Sequence, residues 1–199
     1  AAAPAASVVE VSGANKQNSP ALPINTYKER NYSQQIFTSN EVPAGRITKL
    51  AFNYGYNYDL TRKSNNVTIY LTTTNKSKFT AKSDFVTANL QQVYAGSFNG
   101  TQGWNTINLT TPYVYDGNEN LVLVIRDNSG TSQMSEVYNF VCSQTSDDMS
   151  MIIYRDGAIC TPTQAPTYSY GTFAKLKYRS DVKFTVEPMG DYTNNKYQT

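Results

Sequence analysis

Val67-Thr68-Ile69-Tyr70-Leu71-Thr72 places Val67, Ile69 and Leu71 on one face of an extended chain and Thr68, Tyr70 and Thr72 on the other. Such alternation marks a half-buried β-strand, because successive side chains of a strand point to opposite faces. The pattern recurs outward from this stretch. Arg46 to Tyr54 sets Leu50, Phe52 and Tyr54 on one face, and Trp104 to Leu109 turns Ile107 and Leu109 inward. Val182, Phe184 and Val186 alternate with Lys183, Thr185 and Glu187. Leu121-Val122-Leu123-Val124-Ile125 is apolar on both faces, which predicts a central strand covered on both sides. Gln91 to Phe98 and Met151 to Tyr154 read as further strands. Turn clusters such as Asn99-Gly100, Asp116-Gly117-Asn118 and Asp127-Asn128-Ser129-Gly130 separate them. One helical stretch, within Lys76 to Phe85, fits at most about two turns. The whole predicts an all-β fold, an antiparallel β-sandwich or jelly roll of roughly nine or ten strands.

Composition agrees and excludes much chemistry. The 199 residues include 23 Thr, 20 Asn, 17 Ser and 16 Tyr, a mixture suited to pleated sheets and turns. Histidine is absent, which removes the Ser-His-Asp triad, the Cys-His dyad and every His-ligated metal site. A net charge of +2 from 17 basic and 15 acidic residues gives no field to hold a polyanion, so nucleic acid is not an expected partner. No apolar run approaches the roughly 20 residues of a membrane helix. The Ala/Pro-rich start, Ala1 to Ser7, fits the mature end left by signal-peptide removal and equally a clipped chain. The expected organisation is an extended arm over residues 1–19, a sandwich over 20–188 and a polar tail over 189–199. The arm is too polar to order itself and calls for a sheet edge or a neighbouring subunit.

Several phrases occur in a specific order. Pro23-Ile24-Asn25-Thr26-Tyr27 leads to Tyr32-Ser33-Gln34-Gln35-Ile36-Phe37-Thr38 and Gly45-Arg46-Ile47-Thr48-Lys49-Leu50. Val93-Tyr94-Ala95-Gly96-Ser97, Gly103-Trp104-Asn105-Thr106-Ile107, Thr111-Pro112-Tyr113-Val114-Tyr115-Asp116-Gly117 and Tyr178-Arg179-Ser180-Asp181-Val182 follow. Over roughly residues 21 to 186 the chain resembles a β-sandwich domain of Bacteroidetes surface and secreted proteins, akin to the cleaved-adhesin jelly-roll modules found beside proteases. The resemblance implies a non-catalytic attachment module, often holding a calcium ion, of a type that phages of these bacteria also carry. The segment Ser129 to Ser150 departs from the pattern, and Arg126-Asp127-Asn128 stands where the family's strand end is acidic.

Candidate sites each have a plain structural counterpart. Tyr54, Tyr56 and Tyr58 around Gly55, and Tyr168 and Tyr170 beside Gly171, offer rings for a ligand or ordinary amphipathic cover. The lone Trp104 reads as strand-end packing rather than a sugar platform. Asp127, Asn128, Asp147 and Asp148 supply hard oxygens suited to Ca²⁺, and Asp127-Asn128 is also plain turn chemistry. Cys142 and Cys160 either pair as a disulfide in an exported protein or remain separate buried thiols. Fifteen acids nominate no glycosidase pair, so no enzyme is expected. Two functions remain: an extracellular or cell-surface module binding glycan or protein, or a structural subunit of a virion or filament docking through residues 1–19.

Overall fold

The computed structural model describes residues 5–19, 21–56, 64–98, 100–130, 140–155 (Arg155 by its backbone alone) and 172–189. Thirteen strands pack as two antiparallel sheets among these residues. The first sheet lays β1 (Ser7–Val11), β13 (Val182–Glu187), β4 (Gly45–Tyr54) and β7 (Gly103–Tyr115) side by side. Beside the end of β4, Tyr54 pairs with Phe140 of β9 (Phe140–Gln144), which β2 (Lys16–Ser19) and β12 (Tyr178–Ser180) flank. The second sheet runs β11 (Thr172–Leu176), β10 (Ser150–Arg155), β3 (Arg30–Phe37), β8 (Asn120–Asp127), β5 (Val67–Thr74) and β6 (Gln91–Gly96). The fold class is the one the alternation predicts, with more strands than nine or ten because short polar strands add to the apolar ones.

The inward residues of both sheets make one core. Val67, Ile69, Leu71, Leu121, Leu123 and Ile125 meet Leu50, Phe52, Tyr54 and Phe184 there. Ring pairs knit it: Phe37 with Phe184 at 5.1 Å and Tyr54 with Phe140 at 5.0 Å between centroids. A second core lies on the outer face of the second sheet. Val122, Val124, Tyr32, Ile36, Met151 and Ile153 are covered by Phe79 and Phe85, with Val86 and Leu90 packed against them. The strand β8 is therefore buried on both faces, as its unbroken apolar run requires. The expected helical stretch shrinks to one 3₁₀ turn, Lys82–Asp84. Gly45 (φ +150°) permits a close crossing, since a Cβ there would lie 2.5 Å from the Glu187 carbonyl oxygen.

Sequence reasoning passed over β3 because its residues look like those of a loop. Asn31, Ser33, Gln34 and Gln35 are all fully buried, and each bonds backbone from another segment. Asn31 Nδ2 donates to Asn25 O (2.9 Å) while its Oδ1 accepts from Asn25 N (2.9 Å). Ser33 Oγ donates to Pro23 O (2.7 Å). Gln34 grips Val86 through both its amide atoms at 2.7 Å, and Gln35 Oε1 accepts from Ser180 N (2.8 Å).

The N-terminal segment lies on sheet edges of its own domain. Val9 and Val11 add to the core as β1 pairs with β13, and β2 pairs with β9. Lys16 Nζ sits 2.6 Å from the buried Asp181 carboxylate, and Gly13 N donates to Ser143 Oγ at 2.8 Å. The sandwich thus begins at Ser7 rather than at residue 20, because apolar side chains and a buried counter-charge hold the segment to its own domain.

Arg179 is buried and bidentate to Glu41 (2.9 and 2.5 Å), donates to Ile36 O (2.8 Å), and lies 4.4 Å from the Phe37 ring centroid. Burial acts to raise the Glu41 pKa, but the bonds from Arg179 and Thr38 outweigh it and hold it below its ordinary 4.5. Arg179→Ala is expected to cost about 3 kcal/mol in urea unfolding at pH 7, because it strands a half-buried carboxylate. Arg46→Ala, at the exposed pair with Glu187, should cost under about 1 kcal/mol. A carboxyl whose folded pKa is lowered stabilises above its unfolded pKa and loses that contribution as pH falls through the folded value. The gap between wild type and Arg179→Ala should therefore narrow as pH drops below about 4.

Candidate functional site

Among the described residues, those singled out in the sequence lie apart from one another. Tyr54 is fully buried, because the alternation that turns Leu50 and Phe52 inward turns it inward as well, and it cannot meet a ligand at the surface. Tyr56 is 36% exposed in the following turn. Tyr58, Tyr168, Tyr170 and Cys160 lie outside the described residues. Trp104 is half-buried on the outer face of the first sheet, with Lys183 Nζ 4.3 Å from its ring centroid.

The four proposed calcium ligands fall into two distant pairs. Asp127 lies opposite Asn31, whereas Met149, next to Asp148, accepts from Ile36 N. Five residues of β3, roughly 17 Å, separate these levels, so the two pairs cannot share one ion. Asp127 is 2% exposed and is met by donors: Ser129 N at 2.9 Å and the hydroxyl of Ser129, with Ser64 and Asn31 also bonding it. Burial raises its pKa against these bonds. Asp147 lies 3.8 Å from Lys78 and Asp148 3.4 Å from Lys175. Among the described residues no three His, Cys, Asp or Glu gather as a metal cluster.

A groove lies at the β10–β11 edge of the second sheet. Register places Ile152 opposite Ala174 and Tyr154 opposite Thr172, with Leu176 two residues beyond Ala174 on the same face. All five side chains line a groove of about 520 Å³. Its other wall comes from the segment before β3, with Asn25, Tyr27 and Lys28, and from Tyr178 of β12. Tyr27 is 38% exposed, and Tyr154 and Tyr178 are half-buried. Lys28 Nζ stands 5.2 Å from the Tyr27 ring centroid and 5.8 Å from that of Tyr154. Tyr178 Oη accepts from Ser19 Oγ at 3.2 Å, and burial raises the pKa of the phenol despite that bond.

Three amphipathic rings, a cation, an amide and a small apolar floor suit recognition of a polar, ring-shaped ligand. The described lining carries no carboxylate, thiol or activated hydroxyl that would act as acid, base or nucleophile. A smaller cleft of about 230 Å³ includes Glu41, Ser143, Arg179 and Asp181 in its lining. Its charges are already engaged: Arg179 with Glu41, and Asp181 with Lys16 and Ser143. Sequence reasoning missed the larger groove because Tyr27, Tyr154 and Tyr178 come from three distant segments. A faint signal existed in the Asn25-Thr26-Tyr27 phrase.

No family model matches the chain, and no curated protein matches it. Among solved structures, a clostridial cysteine protease, Cwp84 after propeptide cleavage, aligns with a TM-score of 0.47 at 8% identity. The alignment covers 90% of this chain and 40% of that one. The structure of the cysteine protease and lectin-like domains of Cwp84, a surface-layer-associated protein of Clostridium difficile, aligns at 0.40 and 11% identity. That alignment covers 80% of this chain and 32% of the other, so the chain spans less than half the length of either. No described helix is long and apolar enough to cross a membrane.

Cys142 is a buried free cysteine whose pKa is pushed up to about 12, first by burial and then by the nearby Asp181 charge. Because the thiolate is the reactive form, Cys142 in a Cys160→Ser variant should resist a chromogenic disulfide reagent while folded. It should react within minutes once guanidinium unfolds the chain, and rapid labelling of the folded variant would contradict the burial.

Proposed function

We propose that this domain is a non-catalytic binding module that takes a saccharide in the Tyr27–Tyr154–Tyr178 groove, in an extracellular or cell-surface setting. The observation that carries this reading is the convergence of three tyrosines from separate segments on one opening of the sandwich. Pyranose rings present C–H faces and hydroxyl edges, and tyrosine answers both with its ring and its phenol. The resemblance to Bacteroidetes surface modules supports attachment as the biological role.

The alternative, a virion or filament subunit docking through residues 1–19, needs a segment that can leave its own domain. Here Ser7–Val11 and Lys16–Ser19 already pair with β13 and β9. This favours the binding module.

A glycan array followed by calorimetry tests the reading. At least one oligosaccharide should bind, and Tyr27→Ala and Tyr154→Ala should each weaken it about tenfold, the worth of one lost ring contact. Tyr56→Ala should leave affinity unchanged, with melting temperatures of all three within a few degrees of wild type. A blank array, or groove variants that bind as tightly as wild type, would sink it.

A further inference from the structure

We infer that the groove selects saccharides bearing an N-acetyl group, whose carbonyl oxygen accepts from Asn25 Nδ2 while its methyl rests on Ile152, Ala174 and Leu176; this rests on reading the groove as a saccharide site. Asn25 lines the groove yet is only 7% exposed. Its other polar atoms are committed. The backbone N donates to Asn31 Oδ1 at 2.9 Å, and the backbone O accepts from Asn31 Nδ2 (2.9 Å) and Lys28 N (3.2 Å). Asn25 Oδ1 accepts from Tyr27 N at 3.1 Å. A backbone N–H needs an acceptor, so this bond fixes which way round the amide lies and turns Nδ2 to the opposite side. Among the described residues no hydrogen bond uses Nδ2, and it is not one of the unbonded side-chain atoms sealed from solvent. In a lining residue this deeply set, the groove is where such an atom opens.

An acetamido group fits what surrounds this donor. Register sets Ile152 opposite Ala174, with Leu176 on the same face, and these side chains carry no polar atom. The small Ala174 leaves room for a methyl, which gains by leaving water there. A carbonyl oxygen accepts without bringing a proton that needs a partner of its own. A hydroxyl in the same place brings one and turns it toward an apolar floor. The tyrosine rings hold the pyranose while the amide and the floor read its substituent. Tyr178 Oη, which accepts from Ser19 Oγ at 3.2 Å, keeps its own proton for a further oxygen of the sugar.

The test is calorimetry with matched pairs: triacetylchitotriose against cellotriose, and methyl N-acetylgalactosaminide against methyl galactoside. The members of a pair differ by acetamido groups in place of hydroxyls. Where the glycan array favours another acetamido saccharide, that saccharide and its hydroxy counterpart form a third pair. In at least one pair the acetamido sugar should bind about tenfold more tightly, the worth of one hydrogen bond and one buried methyl. Asn25→Asp keeps an acceptor for Tyr27 N but removes the donor, and the advantage should fall to about twofold or less. Ala174→Leu fills the seat of the methyl with Asn25 intact and should have the same effect, which keeps the test decisive should Asn25→Asp fold poorly. A hydroxy sugar that binds as well as its counterpart in every pair overturns the inference while leaving the saccharide reading standing. So do array hits without an acetamido group, or an advantage that survives both variants. If no saccharide of any kind binds, that reading falls and the inference falls with it.

Discussion

Four buried polar side chains on one strand tie down two loops and the end of β12 in the opposite sheet. Asn31, Ser33, Gln34 and Gln35 of β3 satisfy backbone groups of Asn25, Pro23, Val86 and Ser180. Each unmatched partner would cost on the order of 1–3 kcal/mol inside the domain. The strand therefore does two jobs. It carries the middle of the second sheet through ordinary ladder bonds to β8 and β10, and its side chains fasten a loop on either face. Because the bonds are directional, they specify position in a way that apolar packing alone does not.

This constraint reaches the groove. The wall made by Asn25, Tyr27 and Lys28 belongs to the segment stapled by Asn31 and Ser33, while the floor rides on β10, the strand next to β3. Both walls are therefore referenced to the same strand. Tyr178 joins from the first sheet, one residue before Arg179, whose guanidinium is fixed by Glu41 and the Ile36 carbonyl. A groove held this way is fixed in advance, which would limit the ordering cost of any ligand it took.

The sheets were legible and the site was not, for physical reasons that particular residues expose. Val67 to Thr72 and Leu121 to Ile125 declare their burial because a face of uniform polarity repeats every second residue. The repeat holds even for Tyr54, which the count from Leu50 turns inward despite the adjacent Gly55. The strand β3 stayed hidden because its buried face is polar, so hydropathy carries no sign of it. The groove needs Tyr27, Tyr154 and Tyr178 in one place, and only the packing of two sheets brings such distant positions together. The aspartates show the converse: Asp127 and Asp148 are equally plausible ligands in sequence, yet strand register sets them at different levels of the sandwich.

The antiparallel pairing of β1 with β13 has a mechanical consequence. Ser7 lies opposite Val186, so the points where the polypeptide passes into and out of the sandwich sit side by side. Tension applied through these two points would load the ladder from one end and part its bonds in succession, an unzipping geometry far weaker than shear, in which all must yield together. The first strand to peel would be β1, and the next resistance would be the Lys16–Asp181 clamp. The stapled segment that forms the groove wall lies behind both. The groove walls would thus keep their geometry while the margin of the domain gives way, the outer strand yielding first.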